Sequence, residues 1–321
     1  MSQLSFVELV QDDLVQMERL LQQRLPDQHE AIHSAIIHLL GSGGKRLRPA
    51  LLLLSAHACG AGPAAAVLAA AAVEMLHTAT IVHDDLIDGA MVRRGSATLN
   101  SKWSPSVTVL TGDYLFAYSA SLIAQAGCLP LVQRYAETLM VICNGEVSQW
   151  FDGKSLQVGR RDYERRILAK TASLTAFCSE AGAILARASG ETRKALRTYG
   201  EELGLAFQVV DDVLDFVADE RTLGKPVGSD LRQGIVTLPV LLFLEAEPTH
   251  AALCQALRGD CSDSVMREAV QAVAQSAAIG QALEVAQAHA ERAKAALQPV
   301  ADSPYRRALL DAADFVVRRS F

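Results

Sequence analysis

A chain of 321 residues, half of them hydrophobic, only 5% aromatic and with a formal net charge of −6, can bury a sizeable aliphatic core and lacks the basic stripe that nucleic acid requires. Six cysteines, Cys59, Cys128, Cys143, Cys178, Cys254 and Cys261, show no CxxC spacing and no Cys/His cluster, which excludes a zinc pattern and a disulfide framework and reads as small core residues in a reducing cytosol. The start, MSQLSFVELVQDDLVQ, is polar and acidic where a secretory signal would be basic and then apolar, and the longest apolar run, Pro63 to Val73, is too short to span a bilayer, so a soluble, cytoplasmic protein is expected.

Leu4 to Gln22 places Leu4, Val7, Val10, Leu14, Met17, Leu20 and Leu21 at helical spacing, and Pro26 ends that amphipathic helix. His29 to Leu40 repeats the pattern and runs into Gly41 to Pro49, GSGGKRLRP, whose Lys45, Arg46 and Arg48 make it either a solvated connection or a basic binding loop. Pro49 to Gly60 and Pro63 to Asp88 read as buried helices with proline in the first turn. The second runs into IVHDDLIDGAMVRR, Ile81 to Arg94, which sets Asp84, Asp85 and Asp88 against Arg93 and Arg94. His77, two turns before Asp84 on the same face, reads as a satisfied core residue or as a donor. The turn-rich GSATLNSKWSPS leads to helices at Val107 to Gln125 and Leu129 to Gly153, the latter holding Glu146 and Gln149.

Arg160 to Ala188 is a helix of small and apolar residues in which Lys170 and Thr171 stand out, and a lysine so placed reads as reaching a charged partner. Glu191 to Ala218 carries FQVVDDVLDF, a second triplet formed by Asp211, Asp212 and Asp215. Thr222 to Gly234 is a glycine-bearing loop with Lys225. Thr237 to Phe321 reads as three or four amphipathic helices without a chemical cluster. No segment alternates like a strand and no linker divides the chain, so one all-α domain over residues 1–321 is expected.

Carboxylates four apart on a helix repel one another, and one such triplet alone suits a charged helix surface. Both triplets, however, lie in apolar sequence, and a buried carboxylate without a cation costs several kcal/mol. Hard Mg²⁺, which takes carboxylate oxygens and completes its shell with water and substrate phosphate, answers that cost. Di-iron is the other reading, because Glu74 to His77 spells ExxH, but such a site needs that pair from each of two helices. Two triplets can clamp one diphosphate, neutralised further by Arg93, Lys170 and Lys225. Lys45, Arg48 and Arg94, with His77 as a donor, then form a second cationic group for a second phosphorylated substrate.

The order GGKRLRP, HTATIVHDDLID with RRG, KTA, FQVVDDVLD and GKPVGSDL, running from Gly43 to about Pro239, resembles the trans-polyprenyl diphosphate synthases. The resemblance implies an all-α antiparallel helical bundle, the isoprenoid synthase type I fold, around a central apolar cavity. It implies condensation of isopentenyl diphosphate with an allylic diphosphate, with Asp84, Asp85, Asp88, Asp211, Asp212 and Lys170 as the catalytic set. Three Mg²⁺ ions would lie on Asp84, Asp85, Asp88, Asp211, Asp212 and Asp215. Arg93, Lys170, Thr171, Gln208 and Lys225 match contacts to the allylic diphosphate, and Lys45, Arg48, His77 and Arg94 match contacts to isopentenyl diphosphate. A homodimer is implied as well, with neither nucleic acid nor stable membrane insertion.

Many members carry GKxTLP where this chain has GIVTLP, so Ile235 stands in place of a lysine. The family's chain-length positions fall at Met75, Ala79 and Thr80, where short-chain members have a bulky aromatic; Ala79 leaves the path open and implies a medium-to-long product, a quinone side-chain precursor. Three rivals remain: a short-chain geranylgeranyl or farnesyl diphosphate synthase, a noncatalytic subunit of a two-subunit synthase, and a terpene cyclase, which resembles one DDxxD without GGKRLRP.

Overall fold

Leucine and alanine runs punctuated by glycine and proline leave little room for anything but helix. The computed structural model describes residues 5–23, 25, 27–41, 44–93, 95–152, 159–218 and 227–318. A 3₁₀ turn at Ser5–Val10 leads into α1 (Gln11–Gln22), followed by α2 (Glu30–Gly41), α3 (Leu47–Ala58) and α4 (Pro63–Ile87). Pro26, expected to end the first helix, lies outside the described residues. A hairpin of β1 (Val92–Arg93) and β2 (Ser96–Ala97) pairs Val92 with Ala97 and Arg93 with Ser96. No strand was expected there, because two residues are too few for alternation to be read.

α5 (Pro105–Gln125) starts two residues earlier than expected because Pro105 suits the first helical turn, whose N–H groups have no intrahelical partner. α6 (Leu129–Asp152) comes next, and the expected continuous helix over residues 160–188 is found in three parts. They are α7 (Arg160–Ile167), a π-helical turn at Leu168–Ala172, and α8 (Ser173–Leu185). α9 (Gly190–Val217) carries the second triplet, and a short α10 (Ser229–Arg232) lies in the loop after it. The C-terminal portion holds α11 (Leu238–Ala246), α12 (Ala251–Leu257), α13 (Asp263–Ala274), α14 (Ala277–Ala296) and α15 (Pro304–Arg318). The fold is all-α.

By their contacts the residues group into two compact units, 1–136 with 177–197 and 297–311, and 137–176 with 198–296 and 312–321. Most of the borders fall inside helices, so no linker marks them. In the first unit α4 packs against α1, α3 and α5, with Ala69 to Val73, Met75, Leu76 and Ala79 all fully buried. The small side chains on α4 leave its backbone within reach, and the Ser119 hydroxyl donates to the Ala72 carbonyl at 2.6 Å and accepts from Tyr135 at 2.8 Å. Buried Glu180 is satisfied by Arg134 at 2.7 Å and Arg193 at 2.6 Å. Removing either arginine would leave a buried charge short of a partner.

The second unit has its own core, in which Tyr163, Ile167, Val209, Val213 and Phe216 meet Leu231, Val240, Leu253, Met266 and Ala282. Both α4 and α5 are long and apolar enough to cross a membrane, which the run to Val73 alone did not indicate, and their apolar windows are 72% and 44% buried within the protein. Of the six cysteines Cys178 is buried, whereas Cys143 and Cys261 are exposed and the other three are half-buried, so the core role expected for all holds fully for one.

Candidate active site

The first triplet closes α4. Asp84 and Asp85 fall in its last turn and Asp88 is its C-cap, where the unsatisfied carbonyls of the helix already concentrate negative potential. That is the wrong pole for carboxylates and the right one for cations. Asp85 is buried, and burial raises its carboxyl pKa; Arg93, whose Nε donates to Asp85 Oδ1 at 2.6 Å, works against that, while Asp84 and Asp88 add to it. The hairpin presents Arg93, and it is anchored to the end of α4 by the Thr98 hydroxyl, which donates to the Ala90 carbonyl at 2.7 Å. Arg94 lies outside the described residues.

The basic loop divides its charges between structure and surface. Arg46, in the left-handed region at the N-cap of α3 (φ 47°), binds Glu18 at 3.0 Å, buried Glu74, and the Leu40 carbonyl at 2.9 Å. Glu74 therefore serves Arg46, and the ExxH spelling does not make half of a di-iron site. Its histidine, His77, meets Arg48 at 3.1 Å, so two of the residues expected to hold isopentenyl diphosphate are adjacent. Lys45, three residues before Arg48, is exposed. Within one turn after His77, Ala79 is fully buried, as is Met75, and the hydroxyl of half-buried Thr80 donates to the His77 carbonyl at 2.8 Å.

In the second unit the π turn is the organising feature. A π turn inserts one residue into a helix and is enriched at functional sites; here it spans Leu168–Ala172 and so presents Lys170 and Thr171. Two glycines let neighbouring helices approach it. A Cβ on Gly145 of α6 would lie 2.5 Å from that of Ala169, and one on Gly204 of α9 would lie 2.6 Å from the Ala172 Cα. The close approach of α6 sets Glu146 2.9 Å from Lys170, the charged partner that its apolar surroundings implied.

From the same turn a relay runs to the second triplet. The Thr171 hydroxyl donates to Gln208 Oε1 at 2.7 Å, Gln208 Nε2 donates to Asp212 Oδ1 at 2.9 Å, and Tyr163 donates to Asp212 Oδ2 at 2.7 Å. Both partners touching Asp212 are neutral, and burial pushes its carboxyl up to about 7. Burial and Asp212 together hold the Tyr163 phenol protonated, well above its usual range. Asp215 Oδ2 accepts from the backbone N–H of Asp230 at 3.1 Å, which ties the triplet to the GSDL segment, and Ile235 donates its N–H to the Asp230 carbonyl at 2.9 Å. Lys225 lies outside the described residues.

Tyr163, Glu146 and Asp230 touch the candidate residues Asp212, Lys170 and Asp215, and sequence reasoning assigned none of them a role. Tyr163 stands seven residues before Lys170, a spacing common to any helix, so nothing chemical singled it out. All six aspartates offer hard oxygen donors within the last two turns or at the cap of a helix, and Asp212 is buried against neutral donors. That set fits a hard divalent cation. Among the described residues no three His, Cys, Asp or Glu side chains converge on one point. The fit is therefore to an ion that takes one or two carboxylates and fills its shell from phosphate and water.

A model of the Polyprenyl synthetase family matches residues 29–289. The chain is 36% identical over 310 residues to heptaprenyl diphosphate synthase component 2 of Geobacillus stearothermophilus, covering 97% of both chains. It is also 36% identical over 296 residues to a short chain isoprenyl diphosphate synthase of Methanothermobacter thermautotrophicus, covering 90% of this chain and 91% of that one. A crystal structure of polyprenyl synthase from Caulobacter crescentus, complexed with calcium and isoprenyl diphosphate, superposes with a TM-score of 0.93 at 37% identity, over 97% of this chain and 96% of that one. The chain belongs to the polyprenyl synthetase family and has its isoprenoid-synthase helical fold.

Proposed function

We propose that the 321 residues act as one magnesium-dependent trans-prenyltransferase domain. It condenses isopentenyl diphosphate head to tail with an allylic diphosphate and makes a medium- or long-chain all-trans polyprenyl diphosphate, a quinone side-chain precursor. The observation that carries this reading is the second triplet, where Gln208, held by the π turn, and Tyr163 converge on an aspartate whose carboxyl burial pushes up, a cost that a bound cation relieves. The calcium and isoprenyl diphosphate named for the Caulobacter relative supply the matching ligand chemistry.

Asp84, Asp85, Asp88, Asp211, Asp212 and Asp215 would hold Mg²⁺, three ions by family likeness, and the metal when bound stabilises the charge of the departing diphosphate. Arg93, Lys170 and Lys225 bind that diphosphate, while Thr171 and Gln208 fix the geometry of the acidic wall. Arg48 and His77, with Lys45 and Arg94, hold isopentenyl diphosphate. As the allylic carbon–oxygen bond breaks, the isopentenyl double bond attacks the resulting cation, and the proton then lost passes to the released diphosphate. Each triplet has an apolar setting, with Val82 buried beside the first and Val213 beside the second, and such a cation needs apolar surroundings to escape quenching by water.

Overall identity does not set product length, since the heptaprenyl and short-chain relatives are equally similar. Ala79 does, on this reading, by leaving the face of α4 before the triplet without a bulky stop. Incubation with isopentenyl and farnesyl diphosphates in Mg²⁺ or EDTA, with sizing of the products, tests the assignment. Metal-dependent long products support it. A geranylgeranyl or farnesyl product makes the enzyme short-chain, a cyclic hydrocarbon makes it a terpene cyclase, and no turnover makes it a noncatalytic subunit. Ala79→Phe is expected to shorten the product, and an unchanged length removes the chain-length argument.

A cytoplasmic homodimer completes the proposal. Val107, Val109 and Leu110 on α5 and Met140, Val141 and Val147 on α6 are exposed apolar residues of the kind that a partner subunit covers. Light scattering on the purified chain checks it.

A further inference from the structure

We propose that the cleft between α7, α9 and α14 is a metal-independent site for an amphiphile with a phosphate or diphosphate head and an aliphatic tail. The cleft has a volume of about 600 Å³, within the range of small-molecule sites. On a chain of net charge −6 its lining includes Arg160, Arg161, Arg165 and Arg292 with one carboxylate, Glu164. The arginines are incompletely spent on protein partners. Glu164 takes Arg160 at 3.3 Å and exposed Asp162 reaches Arg165 only at 3.6 Å, while Arg161 has no ion-pair partner among the described residues.

Arg292 is held in place from behind. Buried-side Glu202 accepts from its Nε at 2.9 Å and meets His289 Nδ1 at 2.7 Å, and despite burial those two partners keep the Glu202 carboxyl below its usual pKa, hence charged. Arg292 Nη2 also meets His289 Nδ1 at 2.6 Å, which leaves Nη1 and the second Nη2 hydrogen for an oxyanion, and arginine forks match phosphate oxygens two at a time. The rest of the lining is apolar, with Leu168, Leu205 and Val285, and Leu168 is exposed. A free phosphate would leave that surface wet, whereas an aliphatic tail covers it. Leu168 is also the first residue of the π turn, so a tail seated there bears on the segment that presents Lys170 and Thr171.

Two sources supply such a ligand, a prenyl diphosphate or an anionic membrane lipid, and only the first rests on the function proposed above. The test titrates the full chain in excess EDTA, where metal-dependent binding is silent, with farnesyl diphosphate, with inorganic diphosphate and with phosphatidylglycerol vesicles. Farnesyl diphosphate is expected to bind at a site that Arg161→Ser/Arg165→Ser abolishes and Arg48→Ser retains, and inorganic diphosphate to bind there at least tenfold more weakly. Both substituted arginines are exposed, so unchanged thermal melting and Mg²⁺-dependent turnover within twofold of the parent are expected. Vesicle binding that the double variant loses, with farnesyl diphosphate silent, assigns the site to the lipid source. If neither amphiphile shows binding that depends on Arg161 and Arg165, the proposal is overturned, whatever the turnover assay reports.

Discussion

Asp85 and Asp212 are the middle carboxylates of two DDxxD triplets, each buried near the C-terminal end of a long helix, yet their surroundings differ in kind. Asp85 meets a guanidinium, Arg93, carried on a two-residue hairpin and 41% exposed at its side chain. Asp212 meets a phenol and an amide, both rigidly placed and neither charged. The same motif therefore has a guanidinium in direct contact in one place and only the more distant charge of Arg166 in the other. An acidic motif's spelling says how many oxygens are offered, and only the neighbours say at what electrostatic cost.

Neutralising each carboxylate in turn has the largest expected effect. Asp85→Asn and Asp212→Asn are both expected to lower kcat by about a hundredfold or more, the scale on which preorganised electrostatic groups act, and a steady-state assay of isopentenyl incorporation reads it. Stability should then separate them. Asp212 keeps its proton in the folded state up to a pH of about 7, whereas its ordinary value is 3.8. Between those values the native state binds a proton that the unfolded state has lost, so stability falls as pH rises through that window and is level above it. At about 1.4 kcal/mol per pKa unit, Asp212→Asn should gain a few kcal/mol at pH 8 without metal and flatten that slope. Asp85→Asn should gain less, because the Asp85 carboxyl is also raised by burial but Arg93 opposes that rise and would lose its partner. Urea midpoints in EDTA from pH 5 to pH 8 measure both.

A smaller effect tests whether the neutral setting of Asp212 depends on the π turn. Gly204→Ala forces a methyl against the Ala172 backbone and is expected to cost about 1–3 kcal/mol, as overpacking does, with a rise in KM for the allylic substrate. Thr171→Val removes the first link of the relay and should cost about 1 kcal/mol in the same denaturation assay. Smallest is Arg93→Lys, where partial exposure limits the stability change to about 0.5 kcal/mol while KM for the allylic substrate rises.

The triplets, the KTA segment and the long buried helices were legible because each leaves a local mark: like charges at helical spacing inside apolar sequence, or a lysine among alanines. The start of α4 at Pro63 was read from its proline, whereas the start of α5 at Pro105 was placed two residues late. The π turn was hidden, since no local residue pattern marks it and the glycines packed against it, Gly145 and Gly204, lie on other helices. Arg46 was hidden in another way. It stands with Lys45 and Arg48 as one basic cluster, but Glu18 and Glu74 claim it for the fold, and no spacing rule distinguishes a structural arginine from the basic residues beside it.

The extra residue in the π turn also sets the rotational phase of α8. An ordinary α-helix advances about 100° per residue, so deleting one residue from 168–172 would swing every later side chain of that helix by that angle. Phe177, edge-on to Tyr135, and Glu180, shared by Arg134 and Arg193, would both be carried out of register. A length change of a single codon there would be felt more than two turns downstream, which makes the segment intolerant of trimming in any attempt to shorten or recombine the chain.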